Sequence, residues 1–323
     1  MALILGHADV ARALPMDACI EAMAAVLAAH GRGELHQPLR SVSVPPDSNG
    51  FLGLMPAHRG GARPLFSLKA VCIFPGNPAR GLDAHQGTVT LFDGETGVPT
   101  AILDASAITE IRTAAVSALA TRLLAREDVK TLAILGSGVQ AAAHLQALRL
   151  VREFDEVRVY SPTRAHAERL AAEGGAGVEV APSAQHAVRE ADVVVTATNS
   201  REPVLERAWL ADGAHVNAAG ASSPASRELD TATVAAAALF CDSRESLEHE
   251  AGEYRLALDE GLIQASHVRA TLGEVAAGLH AGRTGPREIT LFRSLGLGIE
   301  DLAAAEHAVD NARRLGLGTE VEL

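Results

Sequence analysis

A short apolar run, Thr131-Leu132-Ala133-Ile134-Leu135, ends in Gly136-Ser137-Gly138-Val139-Gln140-Ala141, and the helix-forming stretch Ala141–Leu150 follows at once. Strand, glycine turn and helix in this order constrain the chain more than any other feature. The first glycine permits a tight turn, and the second lets backbone approach a pyrophosphate. The small Ala141 lets helix and strand pack closely, and the helix start offers N–H groups to phosphates. The pattern predicts a dinucleotide-binding turn, with a plain glycine-rich turn as the alternative.

The residues after the turn bear on which dinucleotide. The next predicted strand, Val157–Tyr160, ends in Ser161-Pro162-Thr163-Arg164. A unit that binds NAD commonly places an acid about 20 residues past the glycines, on the ribose 2′-hydroxyl. Asp155 and Glu156 precede the strand and so lie at its wrong end. Hydroxyls at Ser161 and Thr163 with the Arg164 guanidinium suit a 2′-phosphate. NADPH is therefore expected ahead of NADH. The alternative for Arg164 is a solvated place in the first turn of the next helix.

Around this turn, predicted strands alternate with helices: Val178–Val180, Asp192–Thr198, His215–Ala219 and Ala238–Asp242, separated by helices near 163–173, 184–190 and 226–236. Such alternation means a parallel sheet with helices on both faces. A last strand is expected over Glu288–Leu295. The N-terminal part differs. One helix is expected over 9–31. Strands then follow over Arg40–Val44, Phe51–Met55, Leu65–Ile73, Thr88–Phe92 and Thr100–Leu103, joined by turns such as Asp93-Gly94-Glu95-Thr96-Gly97. Strands without intervening helices predict mainly antiparallel pairing. Helices are expected from Ala105 to Ala125 and over 299–316. The expected fold is α/β: a Rossmann-type nucleotide domain over 118–301, and an α+β substrate and dimerisation domain made of 1–117 with 302–323.

Several function classes recede. The 323 residues carry a formal charge of −12 and no basic run, so nucleic acid is not expected as a partner. No uncharged apolar stretch reaches the roughly 18 residues of a membrane span. The N-terminus lacks the basic start of a signal peptide. Cys19, Cys72 and Cys241 are far apart and match neither a disulfide framework nor a metal pair, so the cytoplasm is the expected setting and no metal is expected.

Certain polar residues stand in costly places. Lys69 lies inside Leu65-Phe66-Ser67-Leu68-Lys69-Ala70-Val71-Cys72-Ile73; a cation there must be paired, functional, or on a solvent face of the strand. Arg112 and Thr113 stand where strands give way to a small-residue helix. Arg112 suits a two-pronged grip on a carboxylate, or else an ion pair with Glu110 or another acid. Arg40, at the head of a strand, is a second carboxylate ligand or a surface arginine. His85 has the right chemistry for proton transfer, or is structural. Thr196-Ala197-Thr198-Asn199 and Asn217-Ala218-Ala219-Gly220-Ala221-Ser222 end two parallel strands, where ligands of such sheets bind, though loops are polar in any case. Thr196, Ala197, Thr198 and Ala219 are accordingly expected at the cofactor, together with Thr113 and Leu295.

Taken together, these stretches resemble the ornithine cyclodeaminase/mu-crystallin family. The resemblance rests on Gln37–Arg40, Gly53-Leu54-Met55-Pro56, Leu68-Lys69, His85–Phe92, Ile111–Ser117, Ile134–Ala141, Val216–Ala221 with Arg227-Glu228-Leu229-Asp230, Leu272-Gly273-Glu274-Val275 and Phe292-Arg293-Ser294-Leu295-Gly296. It implies a homodimer joined through the sheet-rich N-terminal domain, and an active site between that domain and the nucleotide domain. It puts Arg40, Lys69 and Arg112 at substrate-binding positions, and Gly136, Gly138, Val139, Gln140, Ser161 and Thr163 at nucleotide positions. The family's cyclodeaminases carry a catalytic Asp where this chain has Ser222, as the mu-crystallin and imine-reductase branch does. Serine does not ionise near neutrality and cannot replace a charged base. Pro162 stands where mu-crystallin-like sequences carry a phosphate-binding Arg, which leaves a 2′-phosphate to Ser161, Thr163 and Arg164.

The expected activity is NADPH-dependent reduction of a small cyclic imino acid, pyrroline-2-carboxylate or piperideine-2-carboxylate, with NADH possible as donor. Lys69, Arg112 and Ser222 are expected at the chemistry, and Arg40 and His85 at the substrate. The alternatives are an amino-acid dehydrogenase, an ornithine cyclodeaminase with recycled NAD, and a non-enzymatic nucleotide-gated binding protein.

Overall fold

The computed structural model describes residues 1–323, the side chain of Pro78 excepted, and divides them into two compact units. Unit 1 is Met1–Arg112 with Gly296–Leu323, and unit 2 is Thr113–Leu295. The borders expected at 117/118 and 301/302 fall a few residues further along the chain than the edges of these units. The helix Ala105–Leu124 runs unbroken through the first border, so no sequence signal marks it. At the second, the helix Gly298–Leu315 belongs to unit 1 from its first residue.

Unit 2 is built on an eight-stranded sheet in the order Val178–Val180, Glu156–Tyr160, Thr131–Leu135, Val193–Thr196, His215–Ala218, Thr290–Arg293, Ala238–Cys241, Val268–Thr271. Every pair is parallel. The central strands Thr131–Leu135, Val193–Thr196, His215–Ala218, Thr290–Arg293 and Ala238–Cys241 are buried on both faces almost throughout, whereas Val178–Val180, Glu156–Tyr160 and Val268–Thr271 toward the edges are only partly buried. Ala133, Leu135 and Val194 enter one core, and Leu132, Ile134, Val193 and Val195 enter the other. The helix expected over 226–236 starts only at Thr231, where the Asp230 side chain accepts from the Thr233 N–H. Two helices not foreseen, Arg244–Glu250 and Gly252–Asp259, follow the Ala238–Cys241 strand.

Unit 1 holds a second eight-stranded sheet, ordered Thr319–Val321, Ala2–Leu5, Pro99–Asp104, His85–Asp93, Leu65–Ile73, Phe51–Arg59 and Leu35–His36, with Ser41–Ser43 also paired to Phe51–Arg59. All its pairs are antiparallel except Ala2–Leu5 with Pro99–Asp104. The single helix expected over 9–31 is two, His7–Ala13 and Met16–Gly31, because Pro15 has no N–H to continue the first.

Period-two alternation sorts the central strand Leu65–Ile73 cleanly. Ser67, Lys69 and Val71 are buried, whereas Phe66 is exposed and Leu68, Ala70 and Cys72 are half-buried. The helix Gly298–Leu315 packs on the strands Phe51–Arg59, Leu65–Ile73 and His85–Asp93. Its buried residues include two adjacent acids, Glu300 and Asp301.

Candidate active site

Lys69 is 3 % exposed and sits opposite Met55 and Val89 in the sheet. Its cost in an apolar strand is met by Asp301, whose Oδ2 lies 2.8 Å from Nζ. Nζ also donates to the Thr109 hydroxyl at 3.4 Å. The other oxygen of Asp301 accepts from Arg112 Nε at 3.1 Å, and Glu300 Oε2 accepts from Arg112 Nη1 at 2.9 Å. Asp301 therefore bridges the lysine and the arginine, and both acids are fully buried. Arg112 is thus paired with acids of the helix Gly298–Leu315. Gly296 leaves room for the guanidinium: a Cβ there would come within 2.7 Å of Arg112 Nη1. The Gly296 carbonyl in turn accepts from Arg40 Nη2 at 2.8 Å.

Three cations, Arg40, Lys69 and Arg112, thus gather about two buried carboxylates, Glu300 and Asp301. Desolvation pulls the Lys69 ammonium down to a pKa of about 8, Asp301 opposing the shift and Arg112 and Arg40 adding to it. An amine poised there is partly neutral a little above physiological pH and can exchange a proton. His85 lies on the sheet face that carries Lys69, four residues from Val89 along its strand. Desolvation first, then the charges of Lys69 and Arg112, hold its imidazole below the usual histidine range, with Asp83 opposing.

In unit 2 the glycine turn has the form expected of it. Gly136 takes φ +127°, and a Cβ there would strike the carbonyl oxygen of Ala197. A Cβ on Gly138 would meet nothing within 4 Å, so that backbone is open to a ligand. The helix Val139–Arg149 begins after Gly138 with no side-chain cap, which leaves its first N–H groups for an anion. Among the described residues, the buried hydroxyl of Thr196 has no hydrogen-bond partner. Open backbone, an uncapped helix start and an orphaned hydroxyl fit a dinucleotide. Beneath the turn, His144 Nδ1 donates to the Gln140 carbonyl at 2.7 Å, and its Nε2 accepts from the Ser117 hydroxyl at 2.9 Å. Burial brings its pKa down to about 4, so the ring is neutral and ties the turn to the helix Ala105–Leu124.

The remaining expected residues fall as follows. Ser161 is half-buried, Thr163 is exposed, and the Thr163 side chain does not cap the helix it precedes. Arg164 opens that helix, exposed, with its Nε 2.8 Å from Glu168 Oε1. Val139 is exposed and Gln140 half-buried at the helix start, while Thr113 and Leu295 are buried. Ala197, Thr198 and Ala219 are half-buried at the carboxyl ends of their strands, and Ser222 is exposed beyond them. Sequence reasoning missed Glu300 and Asp301, and gave no role to Glu228. The first two read as ordinary acids in the first turn of a helix. The signal that could have found them is their place between Ile299 and Leu302, inside an apolar stretch.

The family model for "Ornithine cyclodeaminase/mu-crystallin family" matches residues 2–315. The chain is 39 % identical over 279 residues to ketimine reductase mu-crystallin of Mus musculus, covering 86 % of each chain. It is 35 % identical over 323 residues to alanine dehydrogenase of Archaeoglobus fulgidus, covering 99 % of this chain and 98 % of that one. A solved structure of Thermococcus litoralis Delta(1)-pyrroline-2-carboxylate reductase, in complex with NADH and L-proline, superposes with a TM-score of 0.94 at 35 % identity, covering 99 % of this chain and 100 % of that one. The chain belongs to the ornithine cyclodeaminase/mu-crystallin family.

Proposed function

We propose that the protein is an NADPH-dependent reductase of small cyclic imino acids, turning pyrroline-2-carboxylate or piperideine-2-carboxylate into proline or pipecolate. The observation that carries this reading is the buried Lys69–Asp301–Arg112 network, which places a lysine and an arginine side by side on one carboxylate. Such a network suits a substrate with one carboxylate and a nitrogen to be protonated. Arg112, helped by Arg40, holds the carboxylate. Lys69 orients the substrate and exchanges a proton with the imine nitrogen, which makes the neighbouring carbon electrophilic. His85 lines the substrate. Bound at the glycine turn of unit 2, a nicotinamide would supply hydride, and a hydride with one proton balances the conversion of C=N to CH–NH.

The relatives support the reading, since those named above reduce or dehydrogenate imino or amino acids. Ser222, in place of the family's lyase carboxylate, favours reduction over ammonia loss. The test is NADPH consumption over a panel of cyclic imines, and of 2-oxo acids with ammonia. Turnover with a cyclic ketimine carboxylate is expected. Ammonia release from ornithine without net cofactor change would replace this reading with the lyase.

The preference for NADPH rests on Ser161, Thr163 and Arg164. The Arg164–Glu168 pair is exposed on both sides and worth little, so the guanidinium can turn to a phosphate at small cost. Arg164→Ala is expected to weaken NADPH by about tenfold, as the loss of a charge-assisted bond, and to leave NADH nearly unchanged. Equal effects on both cofactors would take Arg164 away from the 2′-phosphate.

The assembly we propose is a homodimer joined through the outer face of the unit 1 sheet. That face carries Phe66, Leu68, Ala70 and Cys72, with Leu54 and Phe92 on the flanking strands. It stays half-exposed and apolar in the single chain. Leu68→Asp is expected to convert a dimer to a monomer in light scattering, and an unchanged mass would move the interface elsewhere. Among the described residues no helix is long and apolar enough to cross a membrane. Three unpaired thiols favour a reducing setting such as the cytoplasm.

A further inference from the structure

Glu228 is fully buried in unit 2, and the reaction as described gives it nothing to do. Its Oε1 accepts from the Thr198 N–H at 2.7 Å. Its Oε2 accepts from the N–H groups of Gly220 at 2.7 Å and Ala221 at 3.2 Å. One side chain thus gathers the loops that follow two neighbouring parallel strands, Val193–Thr196 and His215–Ala218. Its own main chain is pinned as well, because the Glu228 carbonyl accepts from Val204 and Leu205 N–H at 2.8 and 3.0 Å.

The fit leaves no slack. A Cβ on Gly220 would lie 2.5 Å from Glu228 Oε1 and would also strike the Thr198 backbone. Burial pushes the carboxyl upward, against the pull of Arg293 and of its own N–H donors. Arg293 is also buried, and it fixes the same loop from the other side by donating to the carbonyls of Ala218 and Ala221.

The consequence follows from peptide planarity. In a trans peptide the carbonyl of one residue points opposite to the N–H of the next. With the N–H groups of Gly220 and Ala221 drawn onto Glu228, the carbonyls of Ala219 and Gly220 are turned the other way. They lie at the carboxyl edge of the parallel sheet, where ligands of such sheets are held. We propose that Glu228 is a positioning residue for the nicotinamide end of the cofactor, fixing the Ala219 and Gly220 carbonyls as acceptors for its carboxamide N–H2. This inference rests on the reading that unit 2 binds a nicotinamide dinucleotide.

The test compares a whole cofactor with a fragment that lacks the nicotinamide. Affinities for NADPH and for adenosine 2′,5′-bisphosphate are measured by calorimetry on the full chain, for wild type, Glu228→Gln and Glu228→Asp. Glutamine replaces one acceptor by a donor that opposes an N–H group. Aspartate keeps the charge but is too short to reach both loops. NADPH is expected to weaken about tenfold or more in either variant, and the bisphosphate by no more than about twofold. Hydride transfer from C4-deuterated NADPH is expected to lose facial selectivity. Parallel loss for both ligands, or no loss of NADPH affinity, overturns the inference. If Glu228→Gln does not fold, the ratio in Glu228→Asp decides. If the wild type binds neither of these nor NADH, the cofactor reading itself falls; if it binds both and the variants keep their ratio, only the role of Glu228 does.

Discussion

Arg112→Lys is expected to lower kcat/KM for a cyclic imino acid about a hundredfold or more while leaving cofactor affinity nearly unchanged. The substitution keeps the charge and removes the fork. In the wild type, Nε serves Asp301 and Nη1 serves Glu300, from one rigid plane. A lysine ammonium is a point donor on a flexible stem and cannot serve two buried carboxylates and a substrate carboxylate at once. Each charge-assisted bond lost is worth about 1.5–3 kcal/mol, so two of them account for a hundredfold. Stability should fall too, because a buried acid left short of donors is costly. That shared cause makes activity alone ambiguous. The deciding comparison is a carboxylated imine against 1-pyrroline, which lacks the carboxylate. A carboxylate-binding arginine predicts a loss confined to the first substrate. Equal losses on both would make Arg112 the structural counter-ion of Glu300 and Asp301 and no more.

The same network shows what sequence could and could not reveal. Lys69 was legible as a problem: a cation in an apolar strand must be paired, functional or turned to solvent. Which of these holds depends on strand alternation against a partner that local sequence does not name. Asp301 lies near the other end of the chain, and only the packing of Gly298–Leu315 on the sheet brings it to Lys69. The glycine turn was legible because all its parts are local, from the buried strand to the uncapped helix start. The helix boundary at Pro15 was not read: the apolar spacing beyond it argued for one helix over 9–31, although proline denies the N–H that continuation needs. Glu228 left no local trace. Its role depends on two loops that meet only because their strands are neighbours in the sheet.

Reduction is expected to be level with pH on the acid side and to fall as pH rises through about 8, by about tenfold for each further unit. The sign follows from Lys69. Desolvation disfavours its charged form most, and the positive Arg112 and Arg40 add to that, so the ammonium persists only below about 8. Proton donation to the imine nitrogen needs the ammonium and is lost above that point. Oxidation of the amino acid needs the neutral amine, so its rate should rise through the same point. Lys69→Met should cost about a hundredfold to ten-thousandfold in rate, the usual span of general acid–base catalysis. The substrate nitrogen also titrates, and its break could mimic that of Lys69. Asp301→Asn separates them. Asp301 is the group that holds the Lys69 pKa up, so its neutralisation should move an enzyme-borne break to lower pH. A break that stays in place in Asp301→Asn belongs to the substrate, and Lys69 then orients the carboxylate without carrying the proton.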